Sequence, residues 1–247
     1  MKEFLVLTFT TVLIYQCFTL TLPSIFTKCD KRKSDFNQCL SRAIQDAVSQ
    51  LDKPFDDYGL PSLEPLVSKD LLVEFGNEST CIRQKYSNFK IHGFTKINTT
   101  KAELDFENQV LWLNMTFFKL VFGYEHQIRG RFIVLPMDVS TVAKATLTSP
   151  TFKMRYKFEP YLRQNEKYDK VVDSRLIMEA QNITFNYGNL FNNKRLSEDI
   201  VAQFNANWED ILQFWQAAFP QVYVNVFEKI FNDFFSRVPV HEIFDGF

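Results

Sequence analysis

From about residue 71 to residue 187 the apolar side chains recur at every second position. A period of two is that of a β-strand with one face buried. A run this long calls for an extensive antiparallel sheet. Leu71, Val73 and Phe75 open it, and Phe89 with Ile91, then Leu104 with Phe106, continue it. In Leu111–Lys119 one face holds Leu111, Leu113, Met115 and Phe117, and the other holds Asn114 and Thr116. Between Tyr124 and Leu135, Tyr124, Ile128 and Phe132 share a face opposite Glu125, Gln127, Arg129 and Arg131, and Pro136 ends the strand. Ala143, Ala145 and Leu147 follow, and then the clearest alternation, with Phe152, Met154, Tyr156 and Phe158 inward. Leu176, Met178 and Ala180 are out of parity with Ile183, Phe185 and Tyr187, which predicts a bulge near Gln181.

Both flanks of this run are helical. Ser34–Leu51 carries Phe36, Leu40, Ala43, Ile44, Ala47, Val48 and Leu51 at helical spacing, with Ser34 or Asp35 as cap and Pro54 as stop. Residues 55–70 (with YGLPSLEPL) read as an extended connector. After Arg195, Leu196, Ile200, Phe204, Trp208, Ile211, Leu212 and Trp215 form one stripe up to Pro220, with Ser197 as candidate cap. Val222, Val226, Phe227, Ile230, Phe231, Phe234 and Phe235 then give a helix whose apolar face is wide enough to be embraced by other elements. The order predicts an α+β fold with one long antiparallel sheet.

Residues 1–20 read as a signal peptide. Lys2 is the charged start, Phe4–Tyr15 is an apolar core too short to span a bilayer, and cleavage falls at about residues 19–21. Residues 21–247 then form a single secreted domain. No later segment is of membrane-spanning length, so stable membrane insertion is not expected. Asn77, Asn98, Asn114 and Asn182 stand in N-x-S/T sequons and are candidate glycosylation sites. Cys17 leaves with the signal peptide. Cys29 and Cys39 could close a short loop, which leaves Cys81 over as a buried thiol or an intermolecular partner.

Composition excludes other classes. The net charge of −1 lacks the basic field that nucleic-acid binding needs. The basic run Lys28, Lys31, Arg32 and Lys33 reads as a solvated loop. Seven scattered glycines form no phosphate-cradling pattern, and no G-x-S-x-G elbow is present. His92, His126 and His241 lie far apart and out of metal spacing, and Glu209 and Asp210 are adjacent on a helix and cannot face each other. No catalytic constellation, metal site or cofactor is expected. The 27 phenylalanines, about 11% of the chain, are the quantity to be explained.

Three motifs, in order, carry a resemblance. KCDKRKSDFNQCL sets two cysteines around a basic stretch and is followed by YGLPSLEPL. The central strand reads Y-x-x-x-I-x-G-R-F-I-V-L-P from Tyr124 to Pro136. NLFNNKRLSEDIVAQFNANWEDI brings Asn205 and Asn207-Trp208 near the C-terminus. Together they resemble the insect takeout and juvenile hormone-binding protein family over essentially the whole mature chain. The takeout branch is the nearer, since a second candidate disulfide pair is missing. The resemblance implies a long C-terminal helix wrapped by a highly curved antiparallel sheet, a super-roll enclosing a hydrophobic tunnel. It also implies a Cys29–Cys39 disulfide and secreted carriage of a small apolar molecule such as a terpenoid hormone.

Two functions follow. One is an extracellular carrier of an elongated hydrophobic ligand: a terpenoid, a fatty acid or a similar lipid. Its candidate lining residues are Phe89, Leu113, Phe117, Phe132, Phe152, Met154, Tyr156, Phe185, Phe204, Trp208 and Phe231, with Tyr156 and Trp208 able to offer hydrogen bonds. The other is an extracellular glycoprotein with a filled core that acts through protein–protein contacts, with no cavity of about 300 Å³ or more. Neither names a receptor.

Overall fold

The computed structural model describes residues 20–76, 81–132, 135–190, 193–218 and 220–246. Residues 1–19 of the expected signal peptide and the Asn77 sequon lie outside the described residues, as do the side chains of Cys81 and Phe132. The strands are β1 (Cys29–Asp30), β2 (Leu66–Val67), β3 (Leu71–Gly76), β4 (Cys81–His92), β5 (Ile97–Asp105), β6 (Val110–Phe117), β7 (Lys119–Phe132), β8 (Leu135–Thr148), β9 (Thr151–Arg163), β10 (Glu166–Glu179), β11 (Asn182–Tyr187) and β12 (Phe244–Asp245). The helices are α1 (Phe36–Ser49), α2 (Lys194–Ala206), α3 (Trp208–Ala218), α4 (Pro220–Phe235) and α5 (Val240–Ile243).

The fold is α+β, and its strands divide into two main antiparallel sheets. One runs β10-β9-β6-β5; the other runs β11-β8-β7-β4-β2, with β3 on β4. The two meet at a seam through which the chain passes repeatedly. β6 leads into β7 across Phe118, β8 into β9 across Ser149-Pro150, and β10 into β11 across Ala180-Gln181. Backbone hydrogen bonds continue across the corner. Phe117 N–H donates to the Pro150 carbonyl (2.9 Å), Ser149 N–H to Phe118 (3.0 Å) and Gln181 N–H to Thr148 (3.0 Å). The result is one antiparallel system, sharply bent and not closed as a barrel. Ser149, at φ 46°, and Pro150, with no N–H, turn the chain here. Gly93 does so between β4 and β5: its φ is 91°, and a Cβ would stand 2.5 Å from the Lys119 carbonyl oxygen.

The seam corrects one expectation. The parity slip before Ile183 is not a bulge near Gln181. It marks the crossing from β10, which pairs with β9, to β11, which pairs with β8. The irregularity in β10 lies between Val171 and Asp173. Likewise, the strand expected over Tyr124–Leu135 starts at Lys119 and ends at Phe132, and Leu135 and Pro136 already belong to β8.

Edge strands expose unpaired backbone groups. Here helices cover both edges of the β5–β10 sheet and the β11 edge of the other. On β5, Ser41 Oγ of α1 accepts from Ala102 N–H (2.8 Å), and Asn37 Oδ1 accepts from Leu104 N–H (3.2 Å). On β10, Asn232 Oδ1 of α4 accepts from Val171 N–H (2.7 Å) and Gln216 Oε1 of α3 from Met178 N–H (2.9 Å). On β11, Asn205 of α2 bonds Phe185.

Among the described residues the stripe from Leu196 to Trp215 falls on two helices, α2 and α3, rather than on one. Asn207 has left helical geometry (φ −121°, ψ 34°), so α2 stops before the Asn-Trp pair. Asn193, not Ser197, caps α2, its Oδ1 accepting from Leu196 N–H (3.1 Å). Ser197 is buried and donates to the Leu190 carbonyl (2.7 Å). Asp35 holds the cap position of α1 without a side-chain bond to the helix.

Candidate functional site

An apolar cavity of about 220 Å³ opens on the inner side of the β5–β10 sheet. Its floor is Leu111, Leu113 and Met115 of β6 with Met154 and Phe158 of β9. One wall is α1, through Leu40, Ala43, Ile44, Ala47 and Val48; the other is α4, through Phe227, Ile230, Phe231, Phe234 and Phe235. The hollow follows from the edge bonding. α1 is tied to β5 and α4 to β10, at opposite margins of the sheet, so the helices stand apart over its middle. Small side chains at Ala43 and Ala47 keep the space open. This also explains why the inward stripe of α1 is only half-buried after Leu40.

The near end is closed by the termini. β1 pairs parallel with β12, Lys31 N–H donates to the Asp245 carbonyl (3.1 Å), and Lys28 bridges to the Asp245 carboxylate (3.1 Å). Arg32 holds the Asp30 carboxylate at 2.8 Å, so Lys28 and Arg32 of the basic run are both paired within this corner. A disulfide joins Cys29 to Cys39, with Cα atoms 5.9 Å apart, and fixes α1 to β1.

Few polar groups reach the cavity: Thr27, Gln109, Lys167 and Asp169. Gln109 Nε2 donates to the Phe106 carbonyl. Asp169 Oδ1 is buried without a hydrogen-bond partner among the described residues. Burial pushes its carboxyl above the usual carboxylate range, and the Lys167 charge pulls the other way.

Of the residues chosen from sequence, Leu113, Met154 and Phe231 lie on the cavity wall. Phe89 borders a separate void of about 10 Å³ with Leu66 and Ile91, and Phe227 stands between the two spaces. Phe117 and Phe152 pack with Phe94 at the seam, with ring centroids 4.7 Å (Phe94–Phe117) and 5.5 Å (Phe117–Phe152) apart. Tyr156 is buried against the Phe231 ring (4.4 Å), and its hydroxyl donates to Met154 Sδ (3.1 Å). Phe185, Phe204 and Trp208 pack in the α2–α3 layer, away from the cavity. Sequence reasoning missed the α1 wall, Phe227, Phe234, Gln109, Lys167 and Asp169. The half-apolar α1 stripe carried a signal for the first; β10 before Val171 has no apolar alternation to read.

A second buried polar group sits in the other sheet. His126 Nε2–H donates to Gln84 Oε1 (2.9 Å), Tyr86 OH donates to the same oxygen (2.6 Å), and the His126 and Tyr86 rings stack at 4.4 Å. Burial lowers the His126 pKa to about 4. Asn98, Asn114 and Asn182 are exposed. Among the described residues no His, Cys, Asp and Glu side chains cluster to hold a metal, and no helix is long and apolar enough to cross a membrane.

Residues 4–245 match the family model described as haemolymph juvenile hormone binding protein. The chain belongs to this family. A solved relative in structure is Takeout 1 of Epiphyas postvittana: TM-score 0.70, 20% identity, covering 89% of this chain and 99% of that one. A lipopolysaccharide binding protein matches at a TM-score of 0.41 and 10% identity, covering 77% of this chain and 37% of its own. No curated protein matches the sequence.

Proposed function

We propose that the protein is a secreted, non-enzymatic carrier of a hydrophobic small molecule, held between α1 and α4 over the β6–β9 floor. The cavity carries this reading. Its walls are almost wholly apolar with a few polar groups, the usual composition of a ligand site. Its volume of about 220 Å³ exceeds the ~150 Å³ of a space that admits benzene but is below the ~300 Å³ expected of a carrier, so the apolar lining and not the size favours carriage. A terpenoid, fatty acyl or similar chain therefore fits part-way, and Phe227, which lines both this cavity and the small void beside Phe89, is the side chain that stands at its far end. Membership in the juvenile hormone binding protein family supports carriage. Leu113, Met154 and Phe231 are the contacts favoured among the sequence candidates, and Phe152, Phe117 and Tyr156 back the floor. Residues 1–20 act as the export signal, 21–247 as the mature domain, and Asn98, Asn114 and Asn182 as exposed acceptors for glycan.

Solvent extraction of the protein secreted by cultured cells, followed by mass spectrometry, tests this. A defined apolar molecule in the extract is expected. A ligand-free protein that takes up no terpenoid, fatty acid or quinone probe would overturn the reading and favour a partner-binding glycoprotein.

A further inference from the structure

Asp169 is anomalous within the cavity. On β10 its face is fixed by its neighbour. Tyr168 turns the other way, stacked on Tyr161 (5.8 Å) and covered by the Arg163 guanidinium (4.0 Å), which leaves Asp169 on the cavity wall. Directly across the strand pair stands Pro160, which offers no donor from its backbone or its ring. The next inward residue of β9 is Phe158. Oδ1 is thus buried without a hydrogen-bond partner among the described residues, in a space whose lining is mostly apolar. A buried polar atom left unpaired is costly, and in native structures such atoms call for an explanation.

We propose that Asp169 is the polar anchor of the ligand, accepting a hydrogen bond from a hydroxyl at one end of an otherwise apolar molecule. This rests on the carrier reading and narrows it. Either protonation state of the carboxyl leaves lone pairs on Oδ1, so a hydroxyl donor satisfies it in both. A fatty carboxylate would bring a second negative charge into the same poorly solvated wall. An ester or ether has no proton to donate and leaves the Oδ1 of the ionised carboxylate unpaired. The ligand class is therefore a long-chain or terpenoid alcohol. Lys167, on the same face of β10, adds charge balance beside the anchor.

The test compares 1-decanol with decyl methyl ether, which keeps the oxygen and removes the proton. Titration calorimetry on the delipidated full mature chain is expected to show the alcohol binding about tenfold or more tightly, as a hydrogen bond to a charged or buried carboxyl implies. In Asp169→Leu the ratio falls to about one, with the ether bound no worse. Equal binding of both probes to the unmutated chain overturns the anchor and leaves the carrier reading standing. A preference that survives in Asp169→Leu does the same. Binding of neither probe overturns both. The unmutated chain decides the matter even if the variant folds poorly.

Discussion

Asn205 holds Phe185 by both of its backbone groups: Oδ1 accepts from the Phe185 N–H at 2.6 Å, and Nδ2 donates to its carbonyl at 3.2 Å. One amide on α2 thereby replaces a missing strand at the β11 edge, and the Asn-x-Asn-Trp motif is a structural clasp. Replacing Asn205 by Ala removes two hydrogen bonds and leaves two partly buried backbone groups unpaired. A loss of about 2–3 kcal/mol is expected in urea unfolding. A loss near zero would mean that the edge is held by packing alone.

The Cys29–Cys39 bridge closes a loop of sequence separation 10 at the margin of the cavity. The Cys29→Ser, Cys39→Ser double variant should lose about 2–3 kcal/mol of stability in the chain-entropy account. Because α1 is a cavity wall, the same variant should release an apolar fluorophore faster in stopped-flow displacement. An unchanged release rate would show that the edge bonds of Ser41 and Asn37 suffice to hold α1.

Ala47 faces the cavity from α1. Ala47→Trp puts an indole into that space and should reduce uptake of an apolar fluorophore at least about tenfold, by displacement of about one ligand-sized group. Its circular dichroism spectrum should match that of the unmutated chain. Normal uptake would move the binding region elsewhere.

His126 makes stability depend on pH. Its folded pKa, near 4, lies below the ordinary 6.5, so the unfolded chain takes up a proton first as pH falls. The contribution is complete above about pH 6.5 and is lost between there and about pH 4, by up to about 3 kcal/mol. Melting temperatures from pH 7 to 4.5 should fall less steeply in His126→Phe, which keeps the ring stacked on Tyr86. Parallel slopes would assign acid lability to other groups.

The floor of the site was legible because buried alternation is complete there. Phe152, Met154, Tyr156 and Phe158 are all buried, as are Leu111, Leu113, Met115 and Phe117. Which of these touch open space was not legible. Alternation reports an inward face, and the inward face is filled around Phe117 and Phe152 but hollow above Leu113 and Met154. That difference is set by where α1 and α4 are tied along the sheet, a long-range relationship between Ser41 and Ala102 and between Asn232 and Val171. Asp169 escaped for the opposite reason: it is a charged residue on an inward face, which the hydrophobic pattern reads as solvent. The crossing at Ala180-Gln181 gave a true parity signal, but a bulge and a change of sheet produce the same slip.

Native mass spectrometry of the protein expressed in eukaryotic cells bears most directly on carriage. The protein should carry one apolar molecule per chain, retained through gentle desolvation and absent from Ala47→Trp prepared in the same way. A bare protein mass that gains no adduct from terpenoid, fatty alcohol, fatty acid or quinone would contradict it.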